Sequence, residues 1–175
     1  MSFLPENYET PQGGGLYMKL QNGENKFRIM SKPIIGWIDW VDKTPMRYTY
    51  KQKPAKPAGD KPLKHFWAMI VFDYFDKQIK ILEITQATIQ KSIETLAKDD
   101  DWGDPSFYDI KVTKSGIDKE TEYKVNPSPK KPISDEQKKA AFERPINLDA
   151  LFKNGDPLDV SSGEQTQLIF EETPF

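Results

Sequence analysis

The stretch KHFWAMIVFDY, residues 64–74, constrains the fold more than any other part of the chain. Strand side chains alternate between two faces. Here both are apolar: Phe66, Ala68, Ile70 and Phe72 fall on one, Trp67, Met69 and Val71 on the other. At least one face must be core, so a share of the aromatic residues around it is structural. Any functional reading of those rings has to be made against that claim.

Other period-two segments surround this strand. NKFRIMSK (25–32) alternates Phe27 and Ile29 with Lys26 and Arg28, and IIGWIDWV (34–41) follows, with Gly36 as the expected bulge or bend. MRYTYK (46–51) sets Tyr48 and Tyr50 on one side, and QIKILEIT (78–85) follows the central strand after a tight connection near Phe75–Lys77. In residues 86–98, Ile89, Ile93, Leu96 and Ala97 form one apolar stripe of a helix. FYDIKVTKSG (107–116) and TEYKVN (121–126) read as a closing hairpin. Beyond a Pro- and Lys-rich linker, Ser134 and Gln137 have capping-box spacing, and NLDALF (147–152) reads as a shorter helix.

Strands, one amphipathic helix and two further strands are the order of an OB-fold barrel. The expected fold is therefore mainly β: an OB-fold-like antiparallel barrel with one amphipathic helix between strands, plus short C-terminal helices. The expected organisation is a flexible arm over 1–16, the OB domain over 17–126, a linker with short helices over 127–153, and an acidic tail over 154–175.

Charge is distributed unevenly. The net figure is −2, but residues 154–175 hold Asp156, Asp159, Glu164, Glu171 and Glu172 with no Lys or Arg. Without them the body carries 25 basic against 22 acidic residues, or +3. Residues 43–64 hold Lys43, Arg47, Lys51, Lys53, Lys56, Lys61 and Lys64 against Asp60 alone, a local +6. The prolines of KQKPAKPAGDKP (51–62) exclude a paired strand there, so a mobile basic loop is expected.

Catalysis finds little support. With no cysteine, thiolate chemistry and disulfides are excluded. The one histidine, His65, lies inside a strand and reads as structural, and the GGG at 13–15 leads into a strand rather than a phosphate-binding helix. No metal or other cofactor is expected. No apolar run is long enough to span a membrane and no leader pattern opens the chain, so a cytoplasmic protein is expected.

The stronger signal is aromatic and basic together. Trp37, Trp40, Tyr48, Tyr50, Phe66, Trp67, Phe72 and Tyr74 are interleaved with the basic loop. Unpaired bases offer flat faces for stacking, and their phosphates need cations nearby, which is the chemistry of single-strand binding. The expected stacking residues are Trp37, Tyr48, Tyr50 and Trp67, then Trp40. The expected phosphate contacts are Arg47, Lys51, Lys53, Lys56, Lys61 and Lys64. No recognition helix suited to duplex DNA is present in the pattern.

YMKLQNGENKFRIMSKPIIGW (17–37), WIDW (37–40), the basic insertion and the closing EETPF together resemble bacteriophage single-stranded DNA-binding proteins of the OB-fold type. The closing residues resemble the DDIPF ending of bacterial single-stranded DNA-binding proteins, with Thr173 in place of isoleucine. The resemblance implies coating of single-stranded DNA in replication, recombination and repair in a prokaryote or a phage-infected cell; self-association on DNA is left open by it. It also implies that Phe170, Glu171, Glu172, Pro174 and Phe175 recruit partner enzymes. Three rivals remain open: an RNA-binding cold-shock-like module, a metal-dependent nuclease using Asp39, Asp73 and Asp76, and a protein-interaction adaptor.

Overall fold

The computed structural model describes residue 3 and residues 15–171. Seven strands form one antiparallel sheet: β1 (Gly23–Ile29), β2 (Ile34–Val41), β3 (Thr44–Thr49), β4 (Lys64–Asp73), β5 (Gln78–Ile84), β6 (Asp109–Ser115) and β7 (Glu122–Pro127). Helix α1 (Ala87–Lys98) separates β5 from β6, and α2 (Asp135–Glu143) follows β7. Along the sheet the order is β3-β2-β4-β1-β6-β7, with β5 on the other edge of β4. The sheet is not closed into a barrel. Among the described residues no helix is long and apolar enough to cross a membrane.

β1 and β2 behave as one interrupted strand. Both run antiparallel along the same edge of β4, pairing Ile29 with Val71 and Ile34 with Ala68. The interruption falls at Met30–Pro33 rather than at Gly36. Met30 N donates to Ile70 O at 2.8 Å, and Ile70 N donates to Ser31 Oγ at 2.9 Å, so a hydroxyl stands in for a backbone carbonyl. Pro33 has no N–H to offer a ladder. Gly36 has a different job: a Cβ there would collide with the Tyr48 carbonyl across the β2–β3 pair. That hairpin turns on Asp42 and Lys43, both at positive φ (49° and 65°), without the glycine that usually marks such a turn.

β4 is buried on both faces, which explains its composition. Met69 and Val71 pack with Phe27, Ile29, Leu82, Ile84, Tyr108, Ile110 and Val112, beneath Ile89 and Ile93 of α1. The stripe on α1 is narrower than expected, for Ala97 is exposed while Gln90 turns inward and donates to the carbonyls of Ile84 (2.9 Å) and His65 (3.1 Å). Phe66, Ala68, Ile70 and Phe72 face the other way, against Ala141, Ile146, Leu148, Leu151 and Leu168. The linker and tail expected after residue 127 thus supply a second core layer.

Local signals hold that layer in place. Ser134 Oγ accepts from Gln137 N (3.2 Å) and Gln137 Oε1 accepts from Ser134 N (2.9 Å), a complete capping box. The expected helix at 147–152 is a 3-10 turn, Leu148–Lys153, with Leu148 and Leu151 buried. Leu168 bridges to Ser31 and Ile169 N donates to Met30 O at 2.8 Å, so the chain's later residues seat on the strand interruption.

Two stability measurements follow from this packing. Leu148→Ala should cost about 2–5 kcal/mol in denaturant unfolding; a loss of a few tenths would mean the C-terminal layer is only loosely applied. Burial pushes the Tyr108 phenol from 10.0 to about 12, with the charges of Asp104 and Asp99 adding to it. A raised folded value favours the neutral phenol, so its contribution is intact below pH 10 and is lost as pH climbs towards 12. Tyr108→Phe should therefore flatten the fall in unfolding free energy over that alkaline window, and an unchanged slope would contradict the assignment.

Candidate nucleic-acid interface

The β3-β2-β4 ribbon carries the aromatic group. Trp37 is paired with Tyr48 on β3 and with His65 on β4, so the three side chains form one row on one face. Ile35 and Trp67 are partners in the next row of that face. Beyond β3 the chain turns through Tyr50–Gln52 and brings Tyr50 back over the row. The Trp37 and Tyr50 rings stack at 5.9 Å between centroids with 20° between planes. His65 lies 5.0 Å from Trp37 and 5.6 Å from Tyr50, edge-on to the latter. Lys53 Nζ sits 4.1 Å from the Trp37 centroid, a cation–π contact.

Hydrogen bonds fix the group. Trp37 Nε1 donates to Tyr50 O at 3.1 Å, and His65 Nδ1 lies 2.9 Å from Gly36 O. Tyr50 is 59% exposed, while Trp37, Tyr48 and Trp67 are half-buried. Trp67 also packs against the α1-side core, so it serves the fold as well as the surface.

The basic loop is tethered, not free. Asp39, 1% exposed, accepts from Ala58 N at 2.8 Å and Gly59 N at 3.4 Å. Gly59 passes so close to Trp40 O that a Cβ would collide with it. Lys51, Lys53, Lys56 and Lys61 are all exposed along this segment.

Three expected contacts lie apart from the row. Trp40, Arg47 and Lys64 occupy the alternate positions of the ribbon, paired with Pro45, Ile38 and Ile38 respectively, and so project from the opposite face. Arg47 is occupied there: Nε and Nη2 reach Glu83 Oε2 at 2.9 and 2.8 Å, over the Phe66 ring. Trp40 is 36% exposed and Lys64 is exposed. His65, expected to be structural, touches both the Trp37 and Tyr50 rings, which stack on each other. Its position opposite Trp37 depends on strand register, which no local pattern revealed.

The carboxylates suggested for metal chemistry are dispersed. Asp39 sits beyond the Ile38–Lys64 pair at one end of β4, and Asp73 at the other, about 30 Å along the strand. Asp73 and Asp76 both hold Lys80 Nζ, at 3.0 and 2.7 Å. Burial lowers the Lys80 pKa, but these two carboxylates outweigh it and leave the group above its ordinary value. No group of three or more His, Asp or Glu side chains suited to a metal occurs among the described residues.

Of the expected recruiting residues, Phe170 packs edge-on to Phe142 of α2 at 5.4 Å, with Lys138 Nζ 5.9 Å from its centroid. Glu171 ends the last 3-10 turn, Ile169–Glu171. Glu172, Pro174 and Phe175 lie outside the described residues.

Comparisons with protein-family models, with curated proteins and with solved structures returned no match to this chain.

The tether yields a direct prediction. Asp39→Ala leaves two amides without their acceptor, at a cost of roughly 1–3 kcal/mol. Hydrogen exchange at Ala58 and Gly59 should accelerate, with Asp39→Asn milder because one acceptor oxygen remains. Unaltered exchange in Asp39→Ala would show that the loop is held by something else.

Proposed function

We propose that this protein binds single-stranded DNA with little sequence preference, without catalysing a reaction, in replication or recombination of the phage type. The observation that carries the reading is the gathering of Trp37, Tyr50 and His65, with Lys53 over the indole, beside an exposed lysine loop. Flat rings supply stacking surfaces that accept any base, and lysines follow the phosphates without reading base edges. Tyr48 and Trp67 extend the platform; Lys51, Lys56 and Lys61 complete the cationic border. Arg47 is assigned to structure, since its charge is matched by Glu83.

An OB-type reading of the fold is supported by the pairing pattern. The interrupted β1–β2 serves as the first strand, β4 and β5 as the second and third, and β6 and β7 as the fourth and fifth. α1 stands between the third and fourth, as that topology requires. The ladder that would join β5 to β7 is absent from the sheet, and α1 packs on β7. OB barrels are commonly open in part. The β2–β3 ribbon and basic loop then form an enlarged arm between the first two strands.

Glu171, Glu172, Pro174 and Phe175 remain a proposed recruiting element for replication and recombination enzymes, on their sequence pattern alone. An aromatic ring beside carboxylates suits an apolar pocket rimmed by basic groups. Because Phe170 is engaged with α2, the recruiting role moves to the residues after it.

Oligo-dT should quench tryptophan emission, and the binding constant should fall with salt by about 0.7 logarithmic units per phosphate contacted. Trp37→Ala should weaken binding roughly five- to 150-fold, the loss of about one stacked base. Trp40→Ala should leave affinity nearly unchanged, and Arg47→Ala should lower the melting temperature more than the affinity. Absence of quenching, or a salt-insensitive complex, would defeat the proposal. Tighter binding of a matched RNA oligonucleotide would instead select the RNA-binding reading.

A further inference from the structure

At the other end of β4 from the aromatic row, a second group of charges gathers on the outer face of β1 and β6. Arg28 and Asp109 are cross-strand partners, 1% and 0% exposed. The guanidinium donates through Nε to Ser106 O at 2.8 Å and through Nη2 to Lys131 O at 2.7 Å. Its Nη1 lies 3.8 Å from Asp109 Oδ1 and makes no hydrogen bond among the described residues. Lys131 Nζ and Lys26 Nζ approach Asp109 Oδ2 to 2.8 and 3.8 Å. Both ammonium groups also lie over the Tyr74 ring, 4.4 Å from its centroid for Lys26 and 5.6 Å for Lys131.

Lys111 joins them. It is the direct ladder partner of Lys26, and its contact with Glu24 is at 4.0 Å. Like charges placed directly opposite each other on a sheet destabilise it. Three cations, Lys26, Arg28 and Lys131, therefore meet one buried carboxylate, and the fourth, Lys111, has only Glu24 at the rim. Asp109 is drawn inward: its Oδ1 accepts from the Tyr74 hydroxyl at 2.8 Å, and that hydroxyl accepts from Gln137 Nε2 at 2.8 Å. Burial lowers the Arg28 pKa against the opposing pull of Asp109, whereas the Lys131 ammonium, bonded to Asp109, lies above its ordinary value.

An excess of positive charge partly withdrawn from water is costly until an anion meets it. Ammonium groups converging on one spot match a phosphate, for which lysine serves as a point charge. We propose that Lys26, Lys111 and Lys131, backed by the buried Arg28, form a phosphate-binding site beside the Tyr74 ring. The half-exposed Phe107 adjoins it, its carbonyl accepting from Lys131 N at 3.1 Å. The phosphate has two possible sources, a nucleic-acid backbone or a free phosphate, and the site stands on its own geometry whichever supplies it. It does not depend on the Trp37 row.

The full chain is titrated with inorganic phosphate against chloride at matched ionic strength, following Tm. Phosphate should raise Tm in the native protein, and the Lys26→Gln/Lys131→Gln variant should need about tenfold more for the same rise. Circular dichroism checks that the variant folds; if it does not, Lys111→Gln alone serves, with the same direction of change. No phosphate effect beyond chloride in the native protein, or an equal effect in the variant, overturns the proposal. Salt titration of oligo-dT binding distinguishes the sources. A slope reduced by about 0.7 per lost contact identifies backbone phosphate, whereas an unchanged slope with the inorganic response lost identifies a free phosphate. Trp37-dependent quenching is read in the same samples, so failure here and failure of the DNA-binding reading are told apart.

Discussion

The double burial of β4 is the constraint on which the rest of the structure depends. A strand apolar on both faces has to be covered on both, and each cover comes from a different part of the chain. α1 and the β6 side close one face, while α2, the 3-10 turn at Leu148–Lys153 and Leu168 close the other. Removing either cover would leave large side chains such as Phe66, Phe72 or Met69 facing water, at roughly 1.5–3 kcal/mol for each one. The second cover is why the chain continues so far beyond β7.

That cover also determines where a ligand can approach. On the Phe66–Phe72 side, the sheet around β4 is occupied by the chain's own C-terminal layer. The accessible ring surface is displaced onto the arm formed by β2, β3 and the start of β4. There the two faces are divided: one presents Trp37, Tyr48 and His65, and the other presents Arg47 to Glu83. A single-residue shift of register would exchange these roles, because alternation commits a whole strand at once.

Strand positions, α1 and the capping box of α2 were legible because they depend on local periodicity and on short side chain-to-backbone contacts. β2 runs over the residues expected, and the hairpin of β6 with β7 appears as read. What depended on pairing was not legible. Trp40 and Arg47 were grouped with Trp37 as DNA contacts, and only register sets them on the opposite face. His65 looked inert because its neighbours in sequence, Phe66 and Trp67, say nothing of Trp37 lying opposite. Arg28 and Asp109 are 81 residues apart, so their buried pair left no mark in any window of sequence. The acidic composition after residue 154 read as a tail and concealed Leu168, a buried residue within it.

The seating of Leu168 and Ile169 on the gap at Met30–Ser31 ties one of the earliest strands to nearly the last described residues. Contacts so distant along the chain close late and slowly. During synthesis, β1, β2 and β4 emerge before any residue of the layer that covers the Phe66–Phe72 face, and that cover arrives in steps from Ala141 to Leu168. An adhesive strand is therefore in view until the chain's own later residues arrive, and exposed apolar surface of that kind favours aggregation.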